Sequence, residues 1–89
     1  MEFKVFLHPK ANAFLEKLDS DLKDRVKGKI KGLQDNPQNK GERITPSQYY
    51  KLRVGDYRVI YEIWHGEKKV IVLFIGHRSK VYDDFSKLI

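Results

Sequence analysis

Four cationic side chains and one phenol in the C-terminal half carry the types and spacing that suit a phosphodiester. In YYKLRVGDYRVIYEIW, residues 49–64, Tyr50, Leu52 and Val54 alternate with Lys51 and Arg53, so one side of a strand is apolar and the other cationic. After Gly55-Asp56, Tyr57, Val59, Tyr61 and Ile63 repeat the apolar side and Arg58 falls on the other. A two-residue hairpin loop at Gly55-Asp56 sets Val54 opposite Tyr57, Arg53 opposite Arg58, Leu52 opposite Val59 and Tyr50 opposite Tyr61. The apolar pairs then share one face, which supports this register. The same register sets two arginines side by side. Like charges at that spacing oppose folding, and a site that receives an anion is one reason to keep them.

A five-residue loop at His65–Lys69 puts Trp64 opposite Val70 and Arg58 level with Gly76. The chain then turns through His77-Arg78. Arg53, Arg58 and Arg78 therefore gather at one end of the sheet, with Lys51 further down the same face. Tyr82 follows four residues after Arg78 and returns its hydroxyl to this cup if the segment is helical. Guanidinium forks bind phosphate oxygens bidentately and stabilise the extra charge of a pentavalent transition state. The competing reading is that Arg53 and Arg58 lay their stems over an exposed sheet face with their charges in water.

Other sources of chemistry are sparse. The chain has no HExxH, no glycine-rich phosphate loop and no serine or cysteine nucleophile motif. His8 and His65 are isolated, and no role is expected of them. His77 adjoins the cup and is either an acid or base near neutral pH or a hydrogen-bonded bystander. Glu62 shares the face of Arg58 two positions along and is expected to pair with it. Lys23, Lys27 and Lys31 form an i, i+4 ridge, with Arg25 and Lys29 on another side. That ridge fits either an RNA backbone or a solvated helix face. Trp64, where a strand meets a turn, either plugs the core edge or offers a stacking platform. No metal and no cofactor is expected.

The elements that must position these groups fit one small domain spanning residues 1–89. Hydrophobic residues make up 40%, enough for a folded unit. There is no cysteine, which excludes disulfides and thiolate zinc sites. The longest apolar run, Val70 to Ile75, is too short to span a bilayer. The start MEFKVFLHPK is no signal peptide, so a cytoplasmic protein with no membrane partner is expected. Eighteen basic against 12 acidic residues give a formal charge of +6. That surplus favours a polyanionic partner, with nucleic acid first and an acidic protein second.

Glu2 to Leu7 alternates and reads as a first strand. Pro9 suits the first turn of a helix, and Ala11, Phe14, Leu15 and Leu18 carry helical spacing over about two turns. Asp19-Ser20 closes this helix and caps the next, in which Leu22, Val26, Ile30 and Leu33 form an apolar stripe. Asp35-Asn36-Pro37 ends it. Gln38 to Ser47, polar and with Gly41 and Pro46, reads as the most mobile loop. Strands follow at 49–54, 57–64 and 70–75 as a meander. The last is apolar on both sides, as an interior strand is. Ser79 to Ile89 closes the chain, with Val81, Phe85 and Leu88 spaced to pack a short helix. The class is α+β: a mainly antiparallel four-stranded sheet with an N-terminal helical hairpin packed on one face, in the order β-α-α-β-β-β, and a short C-terminal helix.

This order of elements, with the lysine-rich helical hairpin ending in Asn36-Pro37 and the segments KLRVGDYRVIYEI and VLFIGHRSKVY, resembles the RelE toxins of the RelE/ParE toxin–antitoxin superfamily. The resemblance covers nearly the whole chain. Its most specific parts are K-L-R-x-x-x-Y-R-x-x-Y and G-H-R-x-x-V-Y. It implies a ribosome-dependent endoribonuclease that enters the A site and cleaves the mRNA codon there, with the RNA 2′-hydroxyl attacking the neighbouring phosphate. The protein then supplies orientation, charge stabilisation and proton transfer. Arg58 matches the arginine of the family's Tyr-Arg motif, and Lys51 matches a basic residue of its second strand. Tyr82 matches the C-terminal tyrosine that stacks on or orients the cleaved nucleotide, and Arg78 takes the part of a second catalytic arginine. Some relatives carry a further lysine where this chain has Tyr49, which leaves the general base open between His77 and Lys51. The implied partners are a RelB-like antitoxin, the ribosome and mRNA. An alternative within the superfamily is a ParE-like toxin that inhibits DNA gyrase and cuts nothing, and a third is a degenerate toxin that only binds its antitoxin.

Overall fold

The computed structural model describes residues 2–44 and 47–86, the last three by their backbone alone. The elements are β1 (Lys4–Leu7), α1 (Pro9–Glu16), α2 (Ser20–Lys31), a 3₁₀ turn at Gly32–Gln34, α3 (Pro37–Lys40), β2 (Glu42–Arg43), β3 (Tyr49–Val54), β4 (Tyr57–Trp64), β5 (Lys69–His77) and α4 (Val81–Ser86). Pro9 does open the first helix, and His8 caps it: its Nδ1 accepts the Lys10 N–H at 3.2 Å. The apolar stripe of α2 buries Val26 and Ile30. With Ala11, Leu15 and Leu33 these residues pack on Leu52, Val54, Val59, Tyr61, Val70, Val72 and Ile75, one face of the sheet. Among the described residues, no helix is long and apolar enough to cross a membrane.

The sheet is mixed α+β in class as expected, but it has five strands rather than four, ordered β1-β5-β4-β3-β2. β1 pairs parallel with β5, Lys4 opposite Lys69 through Leu7 opposite Val72, and the other pairings are antiparallel. The added strand, β2, lies in the stretch expected to be a mobile loop and pairs Glu42 with Lys51 and Arg43 with Tyr50. That stretch is pinned. The buried Tyr61 hydroxyl donates to the Pro37 carbonyl at 2.7 Å, and burial pushes its pKa up to about 12. Gly41 lies so close to β3 that a side chain there would run into the Lys51 carbonyl oxygen and come within 2.6 Å of the Tyr61 hydroxyl. Of the expected loop, Thr45 and Pro46 lie outside the described residues.

The β3–β4 hairpin has the expected register throughout, Tyr50–Tyr61 to Val54–Tyr57. Gly55, at φ +60°, supplies the left-handed residue of its two-residue loop. The β4–β5 pairing departs from expectation at one end. Arg58 is level with Gly76, but Trp64 is opposite Lys69 and Ile63 is opposite Val70. An irregularity at Ile60/Tyr61 takes up the one-residue difference: Ile60 is opposite Phe74 and Tyr61 is opposite Val72, so Leu73 is the extra residue of a bulge.

The second face of the sheet carries a smaller core. Ile60 and Val81 are buried there, packed by Ile44, Tyr49, Phe74 and Tyr82. Gly76 makes room for α4: a Cβ on it would sit 3.2 Å from the Val81 Cβ. The expected packing of Phe85 and Leu88 falls outside the described side chains. The sheet therefore separates a helical hairpin on one face from α4 on the other. Strand alternation sends Lys51, Arg53 and Arg58 to the α4 face.

Candidate functional site

Arg58 is the charged side chain at the centre of this face. It is only 8% exposed. Its Nη1 donates to the Gly55 carbonyl at 2.9 Å and to the Tyr57 carbonyl at 2.8 Å. Among the described residues no carboxylate pairs with it. Glu62, expected to do so, instead accepts from Gln48 Nε2 at 3.1 Å and from the Trp64 indole N–H at 3.0 Å. Four residues along a strand put Glu62 about 13 Å away, and Gln48, just before β3, and Trp64 of β4 are nearer. Among the described residues this largely desolvated cation is held by carbonyl dipoles alone, a setting that an anionic oxygen would complete.

Arg53 lies directly across from Arg58 in the ladder and is exposed. The like-charged pair is tolerable because Arg58 folds back onto the carbonyls of its own turn while Arg53 stays in solvent. Arg78 meets the same turn. Its backbone N–H donates to the Asp56 carbonyl at 2.8 Å, and its Nε is 3.9 Å from Asp56 Oδ1. Both side chains are exposed, so that ion pair is loose and screened by water. The sequence reading did not assign Arg25 to this end. From α2, its Nη2 comes within 3.5 Å of the space a Gly55 side chain would fill. The turn Gly55-Asp56 thus has guanidinium-bearing residues converging on it from α2, β3, β4 and the segment after β5.

Lys51 and Tyr82 meet further along the face. Lys51 Nζ lies 6.0 Å from the centre of the Tyr82 ring, a cation–π distance, and 3.8 Å from Glu42 Oε2. Tyr82 is half-buried at the start of α4. One face therefore holds Lys51, Arg53, Arg58 and Tyr82, with Arg78 at its end.

Other candidates are placed elsewhere. His77 continues β5 opposite Tyr57 and packs edge-on against that ring at 5.5 Å. Tyr57 in turn contacts Phe14 of α1, so the imidazole lies on the hairpin face, across the sheet from Arg58. Its Nδ1 accepts the Ser79 N–H at 3.2 Å and lies 2.8 Å from Ser79 Oγ. Lys23 pairs with Glu16 at 3.5 Å, and Lys27 and Lys31 line a hollow between α1, α2 and β1. This ridge borders the β1 side of the hairpin, away from Lys51 and Arg53. His65 packs edge-on against Phe3, and Trp64 is exposed. Among the described residues no group of histidine, aspartate and glutamate is arranged to hold a metal ion.

Residues 5–82 match the family described as the ParE toxin of type II toxin–antitoxin systems, parDE. None of the curated proteins matches the chain. Among solved structures, the RelBE2 toxin–antitoxin complex of Mycobacterium tuberculosis contains a chain 25% identical. It superposes with a TM-score of 0.78 over 88% of this chain and 100% of its own length. The archaeal RelE–RelB complex of Pyrococcus horikoshii is 24% identical with a TM-score of 0.75, over 91% and 100% of the two chains. The chromosomal ParDE system of P. aeruginosa is 15% identical with a TM-score of 0.71, over 85% and 96%. The last two show the shared fold.

Proposed function

The chain belongs to the ParE toxin family of type II toxin–antitoxin systems, within the RelE/ParE superfamily, and from that premise we propose that it is a ribosome-dependent endoribonuclease that cleaves mRNA in the A site. The observation that carries this reading is the single sheet face on which Arg58 has no counter-anion among the described residues and Lys51 stands over the Tyr82 ring. Such a face holds and polarises a phosphate but offers no nucleophile. It suits a substrate that brings its own, the RNA 2′-hydroxyl. In this reading Arg58 and Arg78 neutralise the charge that builds on the phosphorane. Tyr82 stacks on the nucleotide beside the scissile bond, and Lys51 moves a proton or holds the leaving oxygen. Positioning by the ribosome contributes what general acid–base catalysis alone, worth roughly 10² to 10⁴ in rate, does not. The protein acts in the cytoplasm, where translating ribosomes are. Its partner is a RelB-like antitoxin, which lays an amphipathic helix on the apolar rim and sets acidic groups against the cations.

A second reading is favoured by the family match itself, which is to ParE toxins, and by the likeness to a ParDE toxin. In it the chain poisons DNA gyrase and cleaves nothing. Primer extension on ribosome-bound mRNA after induction separates the two. Codon-specific 5′ ends of the downstream fragments that vanish in Arg58→Ala support the nuclease. Intact mRNA with broken chromosomal DNA overturns it.

A further inference from the structure

A second cationic feature lies around the edge of the sheet from the proposed cleavage face. α2 bears two basic rows, and Arg25 and Lys29 point toward β3 rather than β1. Lys29 joins Lys40 of α3 and Lys51 and Arg53 of β3 around a groove of about 320 Å³, in which Glu42 is the one carboxylate among the described residues. Glu42 lies 3.8 Å from Lys51. Among the described residues Lys29, Lys40 and Arg53 have no carboxylate partner. The groove has a fixed wall. Gly41 seats the end of α3 against the Lys51 carbonyl, and the Tyr61 hydroxyl holds Pro37.

We infer that this groove is a track for the phosphate backbone of single-stranded RNA, guiding the nucleotides that flank the proposed cleavage position. The inference rests on the nuclease reading for its direction, because Lys51 belongs both to the groove and to the contact with Tyr82. Three unpaired cations in a concave site focus a positive potential that a polyanion relieves. Phosphates at successive nucleotides need several cations along a path, which the groove supplies from three elements. An acidic amphipathic helix needs an apolar strip as well, and among the described residues Leu52 is the one apolar side chain on the lining and no aromatic ring lines it. The track therefore reads charge and not base identity.

The test is binding of a 2′-O-methyl RNA oligonucleotide, which cannot be cut by its own 2′-oxygen, followed by fluorescence anisotropy over a range of salt. The double variant Lys29→Gln/Lys40→Gln is expected to bind at least about tenfold more weakly at 0.1 M salt. Its salt slope should fall by about 1.4, since each lost phosphate contact on a single strand contributes about 0.7. The charge-matched control Lys4→Gln/Lys10→Gln, on exposed residues of β1 and α1, is expected to keep the parent slope. Equal losses in the two variants overturn the track, because net charge alone then explains binding. So does tighter binding of duplex DNA than of single strand. So does a Lys29/Lys40 loss confined to the antitoxin, which makes the groove a protein-docking surface. A chain that passes this test yet leaves ribosome-bound mRNA whole refutes the nuclease reading alone. One that cleaves mRNA without row-specific binding refutes the track alone.

Discussion

Arg58 and Arg78 are tied to consecutive carbonyls of one turn: the Arg58 guanidinium donates to Gly55 at 2.9 Å and the Arg78 backbone N–H to Asp56 at 2.8 Å. The hairpin loop thereby anchors the Arg58 guanidinium and, 20 residues on (78 − 58), the backbone that carries the Arg78 side chain. If both stabilise the same phosphorane, Arg58→Ala and Arg78→Ala should each lower cleavage of ribosome-bound mRNA by about 10² or more and restore growth to expressing cells. Arg58→Lys, which keeps the charge but loses the fork, should recover only part of the rate. Thermal melting of Arg78→Ala should match the parent, because its side chain is exposed. Full toxicity in both alanine variants would remove the site.

Tyr82 separates stacking from proton transfer. Its ring packs with Ile60 and Val81 and lies beside the Lys51 ammonium. A stacking role predicts that Tyr82→Phe cleaves within a few-fold of the parent. Tyr82→Ala should lose about 1–3 kcal/mol of nucleotide binding, a drop of roughly 5- to 150-fold. An equal loss in the two variants would assign the work to the hydroxyl instead. Single-turnover cleavage on programmed ribosomes measures this.

His77 lies across the sheet from Arg58 and is engaged with Tyr57 and Ser79. His77→Ala should therefore leave the cleavage rate, and its dependence on pH from 6 to 8, as in the parent. A pH profile that flattens in this variant would return His77 to the chemistry.

Tyr61 gives a stability prediction with a definite sign. The folded phenol keeps its proton to about pH 12, whereas an unfolded tyrosine releases it near 10. The folded state thus binds the proton more tightly. Its contribution is complete below about pH 10 and is lost as pH rises toward 12. Tyr61→Phe should flatten that alkaline loss while costing about 1 kcal/mol at neutral pH through the abandoned Pro37 carbonyl. Urea unfolding at several pH values reads both effects.

The hairpin that carries Arg53 and Arg58 was legible because apolar and charged residues alternate along both strands, so only one register buries the apolar set. The bulge at Leu73 was not. Each position from Val70 to Ile75 is apolar, and no alternation marks the extra residue. The same segment misplaced His77. Ending the strand at Ile75 turns the histidine toward the cup, whereas the strand runs on to His77 and its parity sends the ring to the hairpin face. β2 is two residues long, too short to show a period, and it exists because Gly41 and Tyr61 hold it against β3. The two basic rows of α2 have the same spacing in sequence. Only the packed sheet tells which borders β3, and so Arg25 and Lys29 went unassigned.

The parallel pairing of β1 with β5 orders events during biosynthesis. The first strand made has no neighbour until the last one emerges, so the sheet cannot close on a nascent chain that stops short of Lys69. Until β5 is available, residues 4–7 of a growing polypeptide therefore stay without their partner strand. Chains arrested before and after residue 77 should differ accordingly, with protease resistance of residues 4–7 appearing only in the longer ones.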